Sequence, residues 1–226
     1  MRQLLDNIIW HALAGPQAIY ACGTGNARRF APGFSPMLGF ADQERPDFDA
    51  LAPFCRSGEH FYCDGWSGPA PARWIIETQA TMFKMIWDGA TPSIEDSEEP
   101  IALRPEHAPQ ALELAELTHP GPFGLRSIEL GEYLGFFAGP RLIAMAGERL
   151  HAGTLREISG VCTHPDYLGR GLARRLMNRL IRRELQRGEI PVLHVMSDND
   201  RAHGLYERMG FRDHRESVVR VVAPRG

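Results

Sequence analysis

The stretch Val161–Leu180, VCTHPDYLGRGLARRLMNRL, narrows the folds open to this chain more than any other segment. Its first residues are a short apolar run that reads as the end of a buried strand. Pro165 then removes a ladder hydrogen bond, and Gly169 and Gly171 open a turn whose backbone can approach a ligand closely. From Gly171 onward the apolar period becomes helical, with Leu172, Leu176 and Leu180 on one face beside Ala173 and Met177. A strand, a glycine turn and a helix N-terminus in succession make an anion site. Unpaired backbone N–H groups converge there, and the helix dipole adds about half a positive charge. The stretch therefore predicts a bound pyrophosphate.

What the motif lacks narrows which pyrophosphate. A P-loop ends in Gly-Lys-Ser/Thr, whereas Gly171 is followed by Leu172 and Ala173. The dinucleotide fingerprint needs a third glycine after two spacers, and Arg174 stands there. A helix that merely begins after a glycine turn is the competing account.

Composition excludes several classes. The 226 residues suffice for one large domain or two small ones. No apolar run approaches the ~20 residues that span a bilayer. The amino-terminal MRQLLDNIIWHALAG carries Asp6, Asn7 and His11, so it reads as an amphipathic helix rather than a signal peptide. No membrane partner is expected. The net charge of −3 argues against a dedicated nucleic-acid binder. The arginines at 170, 174, 175, 179, 182, 183 and 187 are a local exception, and those beyond the first turn read as a solvated helix face. Arg170, Arg174 and Arg175 lie nearest the proposed phosphates. Cys22, Cys55, Cys63 and Cys162 show no paired spacing, so reduced thiols in a cytoplasmic protein are expected. The nine histidines form no ligand pattern, so no metal is expected.

Taken in order, residues 2–14 form a helix stopped by Gly15-Pro16, and Ala18–Ala21 reads as a short strand. The Cys22–Arg28 stretch reads as a tight turn, and Trp74–Thr78 and Thr81–Trp87 read as two strands. Asp88–Pro100, polar and acidic, is the best linker, which divides the chain into residues 1–98 and 99–226. Ile101–Arg104 is a strand and 106–117 a helix. Thr118–Ser127 is a loop, followed by strands at Glu129–Phe137, Arg141–Arg149 and Leu155–Thr163. The phosphate helix runs to Arg187. Ile190–Met196 is then a strand parallel to 155–163, as a strand–helix–strand crossover requires. A last helix spans Asn199–Met209, and Glu216–Val222 closes the sheet.

The segment Asn199–Phe211, NDRAHGLYERMGF, supplies a second motif. Together the two stretches resemble the GNAT superfamily of acyl-CoA-dependent N-acyltransferases. The family's loop Arg/Gln-x-x-Gly-x-Gly/Ala is met by Leu168-Gly169-Arg170-Gly171-Leu172-Ala173, with Leu168 departing from the usual Arg or Gln. Its ending Asn-x-x-Ala-x-x-Leu-Tyr-x-x-x-Gly-Phe is met from Asn199 through Ala202 and Tyr206. The resemblance covers about residues 100–222. It implies an α/β (α+β) GNAT fold: a mixed, mostly antiparallel sheet whose parallel central strands splay apart, flanked by helices. Residues 1–98 would form a smaller α/β domain. Some members carry a degenerate amino-terminal copy of the module, which these residues fit in size.

For the site, the resemblance implies acetyl-CoA as acyl donor and an amine, of a small molecule or amino acid, as acceptor. The pantetheine arm would bond the backbone at Val161, Cys162 and Thr163, with an N–H near Val161 or Cys162 facing the carbonyl. The diphosphate would sit on Leu168 to Ala173 with Arg174 beside it, and Asn199 and Ala202 would contact the cofactor; a simple N-cap is the other reading of Asn199. Tyr206 falls where many members have the acid that protonates the CoA sulfur; packing beside Leu205 and Phe211 is its other reading. Glu157 stands where members often place a base, working directly or through water, and a surface pair with neighbouring arginines is the alternative. Cys162 reads as a buried apolar residue, because the family transfers without an acyl-enzyme. His119, His164 and His203 read as structural, with His119 the one in the acceptor loop. A CoA-binding sensor without turnover is the rival reading.

Overall fold

The computed structural model describes residues 2–93 and 99–225. Helices α1 (Arg2–Asp6) and α2 (Ile8–Ala14) lead into strands β1 (Ala21–Gly23), β2 (Ala27–Phe30) and β3 (Met37–Phe40). The one-turn helix α3 (Phe48–Leu51), strand β4 (Phe61–Asp64) and the long strand β5 (Trp74–Trp87) follow. Next come β6 (Ile101–Ala102), α4 (Ala108–Thr118), β7 (Tyr133–Ala138), β8 (Arg141–Ala152) and β9 (Leu155–Thr163). The phosphate helix α5 (Leu172–Gln186), β10 (Ile190–Met196), α6 (Asp200–Met209) and β11 (Phe211–Pro224) complete the chain.

Among the described residues these strands form one sheet in the order β1-β2-β3-β4-β11-β5-β10-β9-β8-β7-β6. Pairing is antiparallel except at β3/β4 and at β9/β10, the crossover pair expected around α5. Helices cover both faces. Val192 belongs to a core with Ile8, Ile9, Ala12 and Leu13 of α2, whereas its neighbour Leu193 packs with Leu172, Leu176, Met177, Leu180 and Ile181 of α5. Adjacent strand residues point to opposite faces, so α2 and α5 lie on opposite sides of β10. A third core joins Ala111, Leu114 and Ala115 of α4 to Tyr133, Met145 and Cys162. Each fully buried leucine of the α5 stripe contributes about 1.5–3 kcal/mol. That burial pins the start of α5 beside the end of β9.

Four expectations need correction. Residues 18–20 form a 3₁₀ turn, and the strand begins at Ala21. The strands expected at 74–78 and 81–87 are one, because β11 pairs with β5 along its whole length and carries it through the polar Thr78–Thr81 stretch. β11 does not close the sheet; it lies between β4 and β5. The arginines of α5 are not a solvated face. Buried Arg179 bonds Glu99 at 2.7 Å, Arg183 bonds Glu132, and Arg187, just past the helix, bonds Glu148 and Glu189 at 2.5 and 2.6 Å. Part of the expected linker, residues 94–98, lies outside the described residues. The sheet crosses that position, since β5 from the first portion pairs with β10 and β11 from the second. No described helix is long and apolar enough to cross a membrane.

Candidate active site

Strands β9 and β10 pair at only three positions, Leu155 with Ile190, Arg156 with Pro191 and Glu157 with Val192, and then part. The cause is local. On the other side of β9, Ser159 pairs with Gly147 and Cys162 with Met145, so one extra residue of β9 bulges there. Gly160 sits in the bulge at φ 62°, a conformation that glycine adopts at little cost. A Cβ at Gly160 would meet the Tyr133 ring at 3.1 Å. The bulge turns β9 away from β10 and leaves a cleft between their carboxyl-terminal ends.

The glycine turn follows that end of β9. Gly169 and Gly171 adopt φ 79° and 73°, and a Cβ at either would meet nothing within 4 Å. Among the described residues no side chain caps α5 at Gly171, which leaves the N–H groups of its first turn as donors for a ligand. Leu168 is half exposed and Arg174 exposed, while Arg170 lies over the Tyr167 ring at 4.7 Å. A pyrophosphate fits this cradle, since none of the described residues fills the space at Gly169 and Gly171.

The cleft opens into a cavity of about 450 Å³. Val161, Asn199, Ala202 and Tyr206 line it from the second portion, and Ile9, Met37, Tyr62, Asp64 and Thr78 from the first. His119, the left-handed C-cap of α4, also borders it. Burial pushes the Tyr206 phenol up to about 12. Asn199 caps α6 by accepting from Ala202 N–H at 3.1 Å. Cys162 turns into the α4 core, and burial raises its thiol to about 11, so it is no thiolate nucleophile. Thr163 pairs with Ala144 and is half-buried. Of the predicted residues, Leu168 to Arg174 form the cradle and Val161, Asn199, Ala202 and Tyr206 line the cleft, whereas Glu157, Cys162 and Thr163 do not border it.

Glu157 is fully buried, where a surface pair was the alternative expected. Arg149 grips both its oxygens, Nε to Oε2 at 2.9 Å and Nη2 to Oε1 at 2.6 Å. His194 Nδ1 lies 2.6 Å from Oε1. Burial alone would raise this carboxyl, but Arg149 and then His194 outweigh it and hold it down at about 2. Beside this group lies a second buried ion pair, Lys84 Nζ to Asp64 Oδ2 at 2.5 Å, and Ser217 also donates to Asp64, at 2.7 Å. Sequence reasoning missed His194, Arg149, Lys84 and Asp64. The one available signal was a histidine inside an apolar strand that follows a crossover helix.

At the protein surface, His203, Glu207 and Asp213 bring three ligand-type atoms within 4.8 Å of one another. His203 Nε2 lies 2.8 Å from Asp213 Oδ1, and its ring stacks on Phe83. His164 Nε2 accepts from Arg141 Nη2 at 2.6 Å.

Parallel strands that pair briefly and then part, beside a helix that begins with an open glycine turn, are the arrangement that the resemblance to acyl-CoA-dependent acyltransferases implies. A crystal structure from Novosphingobium aromaticivorans, assigned to the GNAT family of acetyltransferases, is 34% identical over 98% of this chain and 99% of its own, with a TM-score of 0.87. The sequence model of the FR47-like protein family matches residues 133–221. This chain belongs to the GNAT family and is an acetyltransferase, and the family implies an acyl-CoA donor. A GCN5-related N-acetyltransferase from Kribbella flavida (14% identity, 96% of each chain, TM-score 0.60) shares the fold. So does a GCN5-related N-acetyltransferase-like protein from Streptococcus suis (16% identity, 99% of this chain and 96% of that one, TM-score 0.63).

Proposed function

We propose that this enzyme transfers the acetyl group of acetyl-CoA to the primary amine of a small molecule or amino acid by direct attack. One observation carries the reading: the cleft left where β9 and β10 part opens into the 450 Å³ cavity. That volume lies in the range of small-ligand pockets, and residues from the first ninety form one wall of it. In this reading residues 1–98 shape the acceptor side, and residues 99–226 hold the donor. The free thiols fit a cytoplasmic enzyme.

The amides of Gly169 to Ala173, with Arg170 and Arg174 nearby, would hold the diphosphate. The backbone of Val161 to Thr163 would hold the pantetheine arm, with Asn199 and Ala202 beside it. The bound donor supplies a thioester carbonyl open to an amine. An N–H of Val161 or Cys162 stabilises the charge that develops on the carbonyl oxygen. Tyr206, at the edge of the cavity, holds a proton for the departing sulfur; its raised phenol keeps that proton at neutral pH. Glu157, buried between Arg149 and His194, reaches the cavity only through His194. The buried Cys162 thiol favours transfer without an acyl-enzyme.

Calorimetric titration with acetyl-CoA should show saturable binding, with release of free thiol when a panel of primary amines is added. No binding up to millimolar acetyl-CoA would remove the reading. Binding with no thiol release on any amine would instead favour a CoA sensor, a role that the absence of Arg or Gln at Leu168 leaves open.

A further inference from the structure

We infer that His194 is the base that takes the proton from the acceptor amine, and that Glu157 positions it. This deepens the acetyl-transfer reading and rests on it. His194 stands two residues past the last β9/β10 pair, where β10 has left its partner, and its ring borders the cavity. Glu157 is an ionised carboxylate and can only accept, so the ring nitrogen 2.6 Å from it, Nδ1, carries a proton. In the neutral imidazole Nε2 is then a bare lone pair. That atom is buried and has no hydrogen-bond partner among the described residues, and the side chain is 92% buried. A buried acceptor left empty beside a substrate-sized cavity is a place for a donor N–H.

The surrounding charges fit this role. Arg149 saturates Glu157 from β8, so the carboxylate is too weak a base to take the amine's proton itself. From β5, Lys84 is the register partner of His194 and lies on the same face, its charge matched by Asp64 of β4. Arg220, which also borders the cavity, is held by the neutral oxygens of Gln79, Ser67 and Gly68. Tyr62, His119 and Tyr206 are the remaining titratable groups bordering the cavity. In the step itself the neutral amine forms a bond to the acyl carbon and loses one proton to His194 Nε2. The C–S bonding pair leaves on sulfur, which takes the Tyr206 proton. The imidazolium proton then returns through solvent to the tyrosine, so atoms and charge balance.

The first test needs neither acceptor nor variant. Long-range proton–nitrogen correlation on the free protein should show His194 protonated at Nδ1 and bare at Nε2; a proton on Nε2 in the neutral ring overturns the proposal. His194→Gln, whose amide can still donate to Glu157, should lower kcat/KM for the best amine of the panel by about 100-fold or more and abolish the acid limb of its pH profile. Its acetyl-CoA affinity should stay at the wild-type value. In Glu157→Gln the Nδ1 preference should weaken. Unchanged rate and pH profile in His194→Gln remove the base while leaving acetyl transfer standing. A wild-type enzyme that binds acetyl-CoA yet acetylates no amine removes the transfer reading itself.

Discussion

Glu184 shows how a single side chain on α5 reports burial. Both its carboxylate oxygens are buried without a hydrogen-bond partner among the described residues. Burial, with Glu148 next, raises its carboxyl well above the ordinary range. A raised carboxyl means the folded protein binds a proton that the unfolded chain has released. Its contribution is therefore fully present below about pH 4.5, the unfolded value, and is lost as pH rises through the folded value. Glu184→Gln should accordingly unfold at higher temperature than wild type at pH 8, by the equivalent of roughly 1–3 kcal/mol, with the difference shrinking toward pH 5. Parallel melts over that pH range would show it. Residue-level legibility in the sequence followed motif membership. Tyr206 stands seven residues, two helical turns, after the N-cap Asn199, and both line the cavity. His194 had no such signature, because its partner Glu157 is 37 residues away and the two meet only through the sheet.

At the scale of elements, periodicity predicted the buried stripe of α5 well, since a 3.6-residue repeat needs no knowledge of the partner surface. It failed on the opposite face. Arginines at 179 and 183 look solvated from spacing alone, but Glu99 and Glu132 come from other elements to bind them. The split of β5 into two expected strands has a similar origin. Thr78 and Ala80 face the cavity rather than the core, so an apolar pattern breaks where the ladder does not. The decisive element is the β9 bulge. Gly160→Ala should destabilise the protein by about 1–2 kcal/mol through its left-handed φ. It should also lower acetylation more than stability, because relief of the strain moves β9 back toward β10. Denaturant titration beside steady-state assays separates the two effects, and a variant of wild-type activity would show the bulge to be dispensable.

For the whole molecule, one sheet carries both portions of the chain. β11 is held between β4 and β5, and β10 between β5 and β9, so the second portion's strands are completed by the first. Unfolding followed by far-ultraviolet dichroism and by tryptophan fluorescence should therefore give one coincident transition; two separated transitions would mean the portions melt independently. Arg149, Glu157, His194, Lys84 and Asp64 come from β8, β9, β10, β5 and β4. Only closure of that sheet assembles them. By itself the sequence determined the local things: the helix that opens at Gly171, the crossover strand, the motif of α6 and hence the family, because each is written in spacings shorter than a helix or turn. The tertiary structure alone decided where β9 parts from β10, which charges are buried together and that His194 borders the cavity. Those depend on the register of strands far apart in the chain, and no local pattern of side chains encodes it.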